Sequence, residues 1–317
     1  VWLQGDLPSA NPQKGALTMN ETHKLSKFLN RNQKRVYMAP CIIFLICMVV
    51  FPLLYTLRLS FYDWSMSSVT EPEFIGLENY FKLFKDQYFI SSIKITLIYS
   101  IVALVIEVVF GIVLALMLNR KKLFMRNVHK TVMLIPMTMT PVAVGMIWKL
   151  IMDPSIGLFN YALKAMGFSP LEWLSGSTTV IGSLIIIDVW QWTPMISLII
   201  LAGLSGISSD IYEAATIDGA NFLQKTFHIT LPLTMNTILV AAMLRLIDVL
   251  KTFDIIYSTT QGGPSFHSQT INIYSYMYGF QYYKYGYSAA SMMIFLLLVG
   301  VVIGVVMYIR IKVVVER

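Results

Sequence analysis

The sequence predicts an all-α integral membrane protein: six transmembrane helices, with a helical segment between the fourth and the fifth. Three observations carry that prediction. Hydrophobic residues are 56% of the chain and mean hydropathy is +0.66, above the apolar share of soluble domains. Charged residues are 13%, about half the usual soluble share. Apolar runs near the roughly twenty residues that a bilayer requires recur over about 36–58, 93–118, 128–152, 179–203, 233–258 and 287–310. The length of 317 residues alone would suit two soluble domains, but these runs are too long for core helices.

Residues 1–35 form a polar tail with Gly, Pro, Asn and Gln, expected to be partly disordered, and 36–317 form the six-span domain. The chain does not begin with Met, and Met19 offers an internal start. A cleaved signal peptide does not fit, because the first apolar run is late and long enough to span. Span one holds Cys41 and Cys47, whose offset of six puts them on different helix faces and argues against a disulfide or a metal pair. The stretch 59–92 is long enough for a small cap, with Tyr62-Asp63-Trp64 at its start. Within it, Gly76-Leu77-Glu78-Asn79-Tyr80 reads as a turn entering a short interfacial helix. Glu107 in span two has no partner on its own helix and is expected to make an interhelical contact. Pro40, Pro52, Pro136, Pro141 and Pro194 fall inside spans, which membrane helices tolerate when neighbours satisfy the freed carbonyls. Aromatics crowd the ends of spans five and six from Tyr274 to Tyr287, as an interfacial belt or as a contact for a partner or substrate. No internal repeat of 20–50 residues is visible.

Lys and Arg in the flanks set the orientation. Lys24, Lys27, Arg31, Lys34 and Arg35 precede span one, and Arg120, Lys121, Lys122, Arg126 and Lys130 follow span two. Arg310, Lys312 and Arg317 end the chain. The opposite loops offset Lys82, Lys85, Lys164 and Lys284 with Asp63, Glu71, Glu73, Glu78, Asp86, Asp153 and Glu172. Both termini are therefore expected in the cytoplasm. The net charge of +7 is a topology signal, and nucleic-acid binding is not needed to explain it.

Between Leu204 and Leu233 the chain turns polar, on the side that the charges place in the cytoplasm. Asp210 is positioned to cap a helix whose Glu213 sits three residues on, the spacing of a capping box. Ile211, Ala214 and Ala215 share one face, and Gly219 supplies the stop at positive φ. Asn221 caps a second helix through Phe222, Leu223 and Phe227, which Pro232 closes. Helix, glycine turn and helix make a docking surface for a partner.

Within this segment the order E-A-A, D-G-A, I-T-L-P resembles the coupling loop of ABC-importer permeases. The resemblance extends upstream through Trp190-Gln191-Trp192-Thr193-Pro194 and Leu201-Ala202-Gly203-Leu204. Downstream it continues through Phe253-Asp254-Ile255-Ile256-Tyr257 and Gly262-Gly263-Pro264. These blocks are similar to the carbohydrate branch, which contains the maltose and glycerol-phosphate permeases, and the match covers roughly Val36 to the C-terminus. It implies a multi-pass subunit of a bacterial cytoplasmic (inner) membrane importer. Its implied partners are a second, similar permease, two ATP-binding subunits, an extracytoplasmic solute-binding protein and a sugar. Contact with the ATPase then falls, by resemblance, to Tyr212, Glu213, Ala214, Ala215, Asp218, Gly219, Ala220, Leu231 and Pro232.

Motifs for other chemistry are absent or incomplete. Gly219 through Thr226 approaches the phosphate loop G-x-x-x-x-G-K-[ST] but lacks the second glycine and a preceding strand. ATP and Mg are therefore expected on partner subunits, with no cofactor on this chain. His23, His129, His228 and His267 are scattered, which argues against a metal cluster, and no catalytic set converges. An ion-coupled secondary transporter would share the intramembrane charges but would not need the helical hairpin. An integral-membrane enzyme would need the missing catalytic set.

Polar groups inside spans are the substrate candidates, because charge at membrane depth is costly and faces the protein interior. Arg245 with Asp248, and Lys251 with Asp254, sit three apart and can pair along one helix face. Asp188, Gln191 and Trp192 occupy i, i+3 and i+4, offering an acceptor, an amide and an aromatic plate for sugar hydroxyls and C–H faces. By resemblance to the maltose permease, the positions matching its sugar contacts are Asp188, Gln191, Trp192, Met195, Thr252 and Pro141. The maltose type offers asparagine or glycine at several of these places. An oligosaccharide is the default substrate, and an acidic sugar such as an oligouronate, or a glycerol phosphodiester, is the alternative if Arg245 or Lys251 faces the path.

Overall fold

The computed structural model describes residues 33–66, 71–120 and 124–315. The expected tail lies outside them, except that Gln33, Lys34 and Arg35 form the first turn of a helix. The chain divides into two units, Val1–Thr56 and Leu57–Arg317.

Helix α1 (Gln33–Leu45), a π-turn (Ile46–Val50) and α2 (Phe51–Leu59) run on as one apolar helix, long enough to span from Tyr37 to Leu59. The π-turn ends two residues before Pro52. Proline lacks the N–H that the carbonyl four residues back expects, and its ring crowds that carbonyl; widening the turn relieves both. Phe51 N–H accordingly reaches back five residues to the Ile46 carbonyl.

The second unit starts with the predicted cap. Strands β1 (Tyr62–Asp63) and β2 (Glu73–Phe74) pair antiparallel, Tyr62 opposite Phe74; among the described residues this ladder and a lone Ser65–Lys284 bridge are the only β-structure in the helical fold. Helix α3 (Glu78–Lys85) follows the predicted turn, and Asn79 fixes it by donating to the carbonyls of Ser60 and Tyr62, both at 3.0 Å.

Helix α4 (Gln87–Leu118) is the second span, six residues longer at its start than predicted because Asp86 caps it, accepting from Tyr88 N–H at 2.8 Å. The third apolar run is not one helix. Helices α5 (Arg126–Thr138) and α6 (Pro141–Ile151) are bent by 94° at Met139 and Thr140. Pro141 forces extended geometry on Thr140 and opens α6 at its first position, where a missing N–H costs nothing. After α7 (Leu158–Ala165), α8 (Val180–Ser205) is the fourth span.

The 204–232 segment contains α9 (Ser209–Ile217) and α10 (Phe222–Lys225). Pro232 does not close the second helix. A π-turn (Thr226–Thr230) leads straight into α11 (Leu231–Leu250), making one 29-residue helix, Phe222–Leu250. The device is that of Pro52: the π-turn stops two residues before the proline, and Leu231 N–H bonds the Thr226 carbonyl. The predicted fifth span, 233–258, therefore starts earlier and ends sooner; Lys251–Phe253 break the helix before α12 (Asp254–Thr259). Helix α13 (Ile271–Tyr276), a π-turn (Met277–Gln281) and α14 (Tyr285–Val315) complete the chain. Among the described residues five helices are long and apolar enough to cross a membrane, or six if the bent pair is one span.

The most extensive helix pairing is α4 on α8, with α11 against both. Tyr99, Ala103, Glu107, Gly111 and Ala115 recur every four residues along one buried face of α4. Small residues in that stripe let the backbones approach. A Cβ on Gly111 would lie 2.6 Å from Ile196 Cγ2.

Candidate functional site

Three helices converge on one guanidinium. Arg245 of α11 is 1% exposed. Its Nε donates to Glu107 Oε2 at 2.7 Å and its Nη2 to Glu107 Oε1 at 3.0 Å, a bidentate grip on α4. The same Nη2 donates to Asp188 Oδ2 of α8 at 2.5 Å. The Trp192 ring lies one turn on, its centroid 5.1 Å from the Arg245 Cζ, in cation–π range. Glu107 makes the interhelical contact that the sequence leaves it to find. The expected pairing of Arg245 with Asp248 does not form: two carboxylates from other helices outcompete a solvated one because only they lie in the apolar interior with the guanidinium. Lys251 pairs instead with Asp248, at 3.5 Å and exposed, and Asp254 opens α12 beyond the helix break.

Gln191 is fully buried and its Nε2 donates to the Met139 carbonyl at 3.0 Å. That carbonyl is one that the α5–α6 bend strips of its helical partner, so Gln191 pins α8 to the break next to Pro141. Asp188 Oδ1 and Gln191 Oε1 remain buried without a hydrogen bond, as does the Tyr99 hydroxyl, which interacts electrostatically with Asp188, Glu107 and Arg245. Trp192, Met195, Thr252 and Pro141 are half-buried. Of the six substrate-path candidates, the structure thus joins Asp188 and Trp192 at Arg245 and brings Gln191 to the residues beside Pro141. Tyr99 was missed; its spacing of eight from Glu107 on the same helix face is the signal that could have found it.

The 204–232 segment is built mostly from local rules. Ser208, not Asp210, caps α9: its hydroxyl accepts from Asp210 N–H at 3.3 Å, and the expected Asp210–Glu213 box does not form. The helix starts two residues earlier than expected, so Asp210 N–H is itself an orphan donor that Ser208 satisfies, leaving Asp210 in the first turn, where its charge suits the helix dipole. Ala220 N–H bonds the Ala215 carbonyl and Gly219 N–H the Thr216 carbonyl, closing α9 with Gly219 at φ +78°. Asn221 and Gln224 then form a reciprocal capping box, 2.8 Å each way. Tyr212 OH with Thr230 Oγ1 at 3.1 Å, and Lys225 Nζ with Thr216 Oγ1 at 2.8 Å, clip α9 to the following helix. Of the predicted apolar face only Ala215 is buried, while Ile211 and Ala214 remain exposed. Glu213, Asp218 and Gly219 are exposed, and Tyr212, Ala220, Leu231 and Pro232 half-buried. Ile217 is 86% exposed, an apolar side chain that none of the described residues covers.

Residues 107–317 match the family described as the binding-protein-dependent transport system inner membrane component. A probable ABC transporter permease of Sinorhizobium fredii, y4oQ, is 37% identical over 89% of this chain and 94% of its own length. The trehalose/maltose transport system permease protein MalF of Thermococcus litoralis is 34% identical over 90% of this chain and 96% of its own. Among solved structures, a bacterial importer of the acidic polysaccharide alginate aligns with a TM-score of 0.78 at 24% identity, covering 91% of this chain and 99% of that one. The last likeness bears on the fold alone. The family match, spanning the ionic cluster and the whole 204–232 segment, makes this chain a member of the inner membrane components of binding-protein-dependent transport systems, a permease of the ABC importer type.

Proposed function

We propose that this permease carries a neutral sugar or oligosaccharide, handed over by an extracytoplasmic solute-binding protein, across a bacterial inner membrane. It pairs with a second, similar permease and two ATP-hydrolysing subunits, with both of its termini in the cytoplasm and no ATP site of its own. The observation that carries the substrate charge is the sealed Arg245. Two carboxyl groups share one guanidinium, so the Arg245 charge is already engaged and no cation there is free to receive an acidic sugar. Trp192 offers a stacking face beside it. The relatives' names include carriers of trehalose, maltose and arabinooligosaccharides, which supports the reading. Two observations favour the acidic-sugar alternative: Lys251, although paired with Asp248, is exposed beyond the end of α11, and one relative's name is that of a sulfoquinovosyl glycerol carrier.

Coupling follows from continuity. The exposed Ile217 and Glu213 face a partner ATPase, α9 is clipped to α10 and the π-turn, and α10 runs without a break into α11. A push on α9 is thereby delivered along α11 to Arg245, and through it to α4 and α8. Glu213→Lys reverses a charge-assisted contact of about 1.5–3 kcal/mol and should abolish ATPase capture. Trp192→Ala should cut uptake by a stacking contribution of about 0.5–1.5 kcal/mol while ATPase capture persists.

The test is uptake by proteoliposomes holding the complete transporter and its binding protein, with maltotriose, trehalose, arabinotriose and trigalacturonate. Import of a neutral sugar that stops on ATP depletion and survives proton-gradient collapse is expected. Import of trigalacturonate alone would hand the substrate to the acidic reading, and ATP-independent import would end the coupling scheme.

A further inference from the structure

We propose a second saccharide site at the end of the bundle opposite the 204–232 segment, in a cavity walled by tyrosines and backed by Gln269. The inference rests on the sugar-import reading above. The cavity holds about 480 Å³, within the roughly 300–1,000 Å³ of small-molecule sites.

Its walls are set before any ligand arrives. One Asp86 oxygen caps α4, while the other accepts hydroxyl hydrogens from Tyr274 at 2.6 Å, Tyr287 at 3.3 Å and Tyr278 at 3.5 Å. Burial, and then the Asp86 carboxylate, push the Tyr274 hydroxyl far above the ordinary phenol range, so it stays a donor. Tyr282 stands edge-on to Tyr278 with ring centroids 5.3 Å apart, and Tyr88 edge-on to Phe266 at 4.8 Å, forming the rim. Fixed rings spare the binding step the cost of ordering them.

The polar groups choose the ligand. Gln269 lines the cavity at 3% exposure; its Nε2 donates to Met277 Sδ, and its Oε1 is buried with no hydrogen bond. An acceptor left in that condition is destabilising, and a ligand hydroxyl cures it. Lys284 contributes an ammonium over the Tyr278 ring at 6.0 Å and forms no ion pair among the described residues. An apolar ligand would leave Gln269 unsatisfied, and a quaternary ammonium would meet the Lys284 charge. A sugar ring fits all three demands: its C–H face stacks on tyrosine, one hydroxyl donates to Gln269 and another accepts from Lys284.

The experiment records saturation-transfer NMR on the complete transporter in nanodiscs without its binding protein. The probe is whichever sugar of the panel above is imported. Saturable transfer is expected, weakened about three- to tenfold by Tyr282→Ala and retained by Tyr282→Phe. Tyr282 is 46% exposed, so its loss should not unfold the protein; the thermal transition checks that. Gln269→Leu should weaken transfer as well. An imported sugar that gives no saturable transfer, or equal transfer in Tyr282→Ala, overturns this site and leaves the import reading standing. Unchanged sugar binding with weakened capture of the binding protein would make the cavity a protein dock and overturn it too. If no panel sugar is imported, the import reading fails and this site falls with it.

Discussion

The ionic cluster and the 204–232 segment are both polar regions of an apolar chain, yet they are held in opposite ways. Arg245, Glu107 and Asp188 come together across 138 and 57 residues of sequence, in the apolar interior, and each depends on the others for its ion pairing. The 204–232 segment is exposed and held chiefly by hydrogen bonds spanning two to five residues, with two longer clips between its helices. One region is rigid because breaking it strands charge in a low dielectric. The other keeps its shape while leaving its outer face free for a partner. A transporter subunit needs both: a joint that does not slip between helices, and a handle that does not depend on that joint to fold.

The sharpest way to break the contrast is to remove the guanidinium. Arg245→Met leaves two carboxylates buried without compensation, and a buried pair broken on one side costs about 3–5 kcal/mol. The complex should lose that much stability in thermal or denaturant unfolding and assemble poorly. Replacing the whole set, Glu107→Met with Asp188→Leu and Arg245→Met, removes the stranded charges and should recover most of the loss. If the triple variant is no more stable than Arg245→Met, packing rather than charge holds these helices.

The same contrast explains what could be read from the sequence. The segment's glycine turn, its Asn221 cap and the cap helix after Gly76 were legible, since their partners are neighbours and their residue types are specific to those backbone states. Ser208 displaced Asp210 because the helix starts two residues earlier than the Asp210–Glu213 spacing suggests, which makes Asp210 N–H itself one of the donors to be capped. Pro232 and Pro141 misled in opposite directions. Proline at the first positions of a helix is tolerated or terminating according to the turn before it: a π-turn in one case, an extended Thr140 in the other. The partners of Arg245 were not legible, because spacing along α11 sees only Asp248, and the Glu107 and Asp188 carboxylates arrive by packing of α4 and α8. Gln191 was legible as a buried polar group but not as the partner of Met139, whose carbonyl is freed only by the bend.

A middle-sized effect probes the handle's backbone. Nothing lies within 4 Å of where a Cβ on Gly219 would stand, so a side chain there meets no obstacle, and any loss reports φ alone. A residue forced into that left-handed state costs about 1–2 kcal/mol, which asparagine largely escapes by bonding its own backbone. Gly219→Val should therefore reduce ATPase capture severalfold, with Gly219→Asn close to the parent. Equal capture by both would mean that the turn is not fixed by its own φ, and the segment would lose its claim to local construction.

The smallest effect tests whether the handle's second helix stands on its cap or on α11. Asn221→Ala deletes the acceptor for Gln224 N–H and half of the reciprocal box, a change of about 0.5–2 kcal/mol in a free-standing helix. Helix α10 is not free-standing: it continues through the π-turn into the twenty residues of α11, most of them buried or half-buried, and its first turn is the only part that the cap must hold. The melting temperature of the complex should then scarcely move. Amide exchange at Leu223, Gln224 and Lys225 should quicken, with Asn221→Asp restoring protection, because aspartate supplies the same acceptor and adds a favourable charge at the helix start. Quickened exchange that spreads past Thr230 into α11 would show that the cap also sets the register of the long helix. The handle would then be no independent module, and its separation from the ionic cluster would fail at that point.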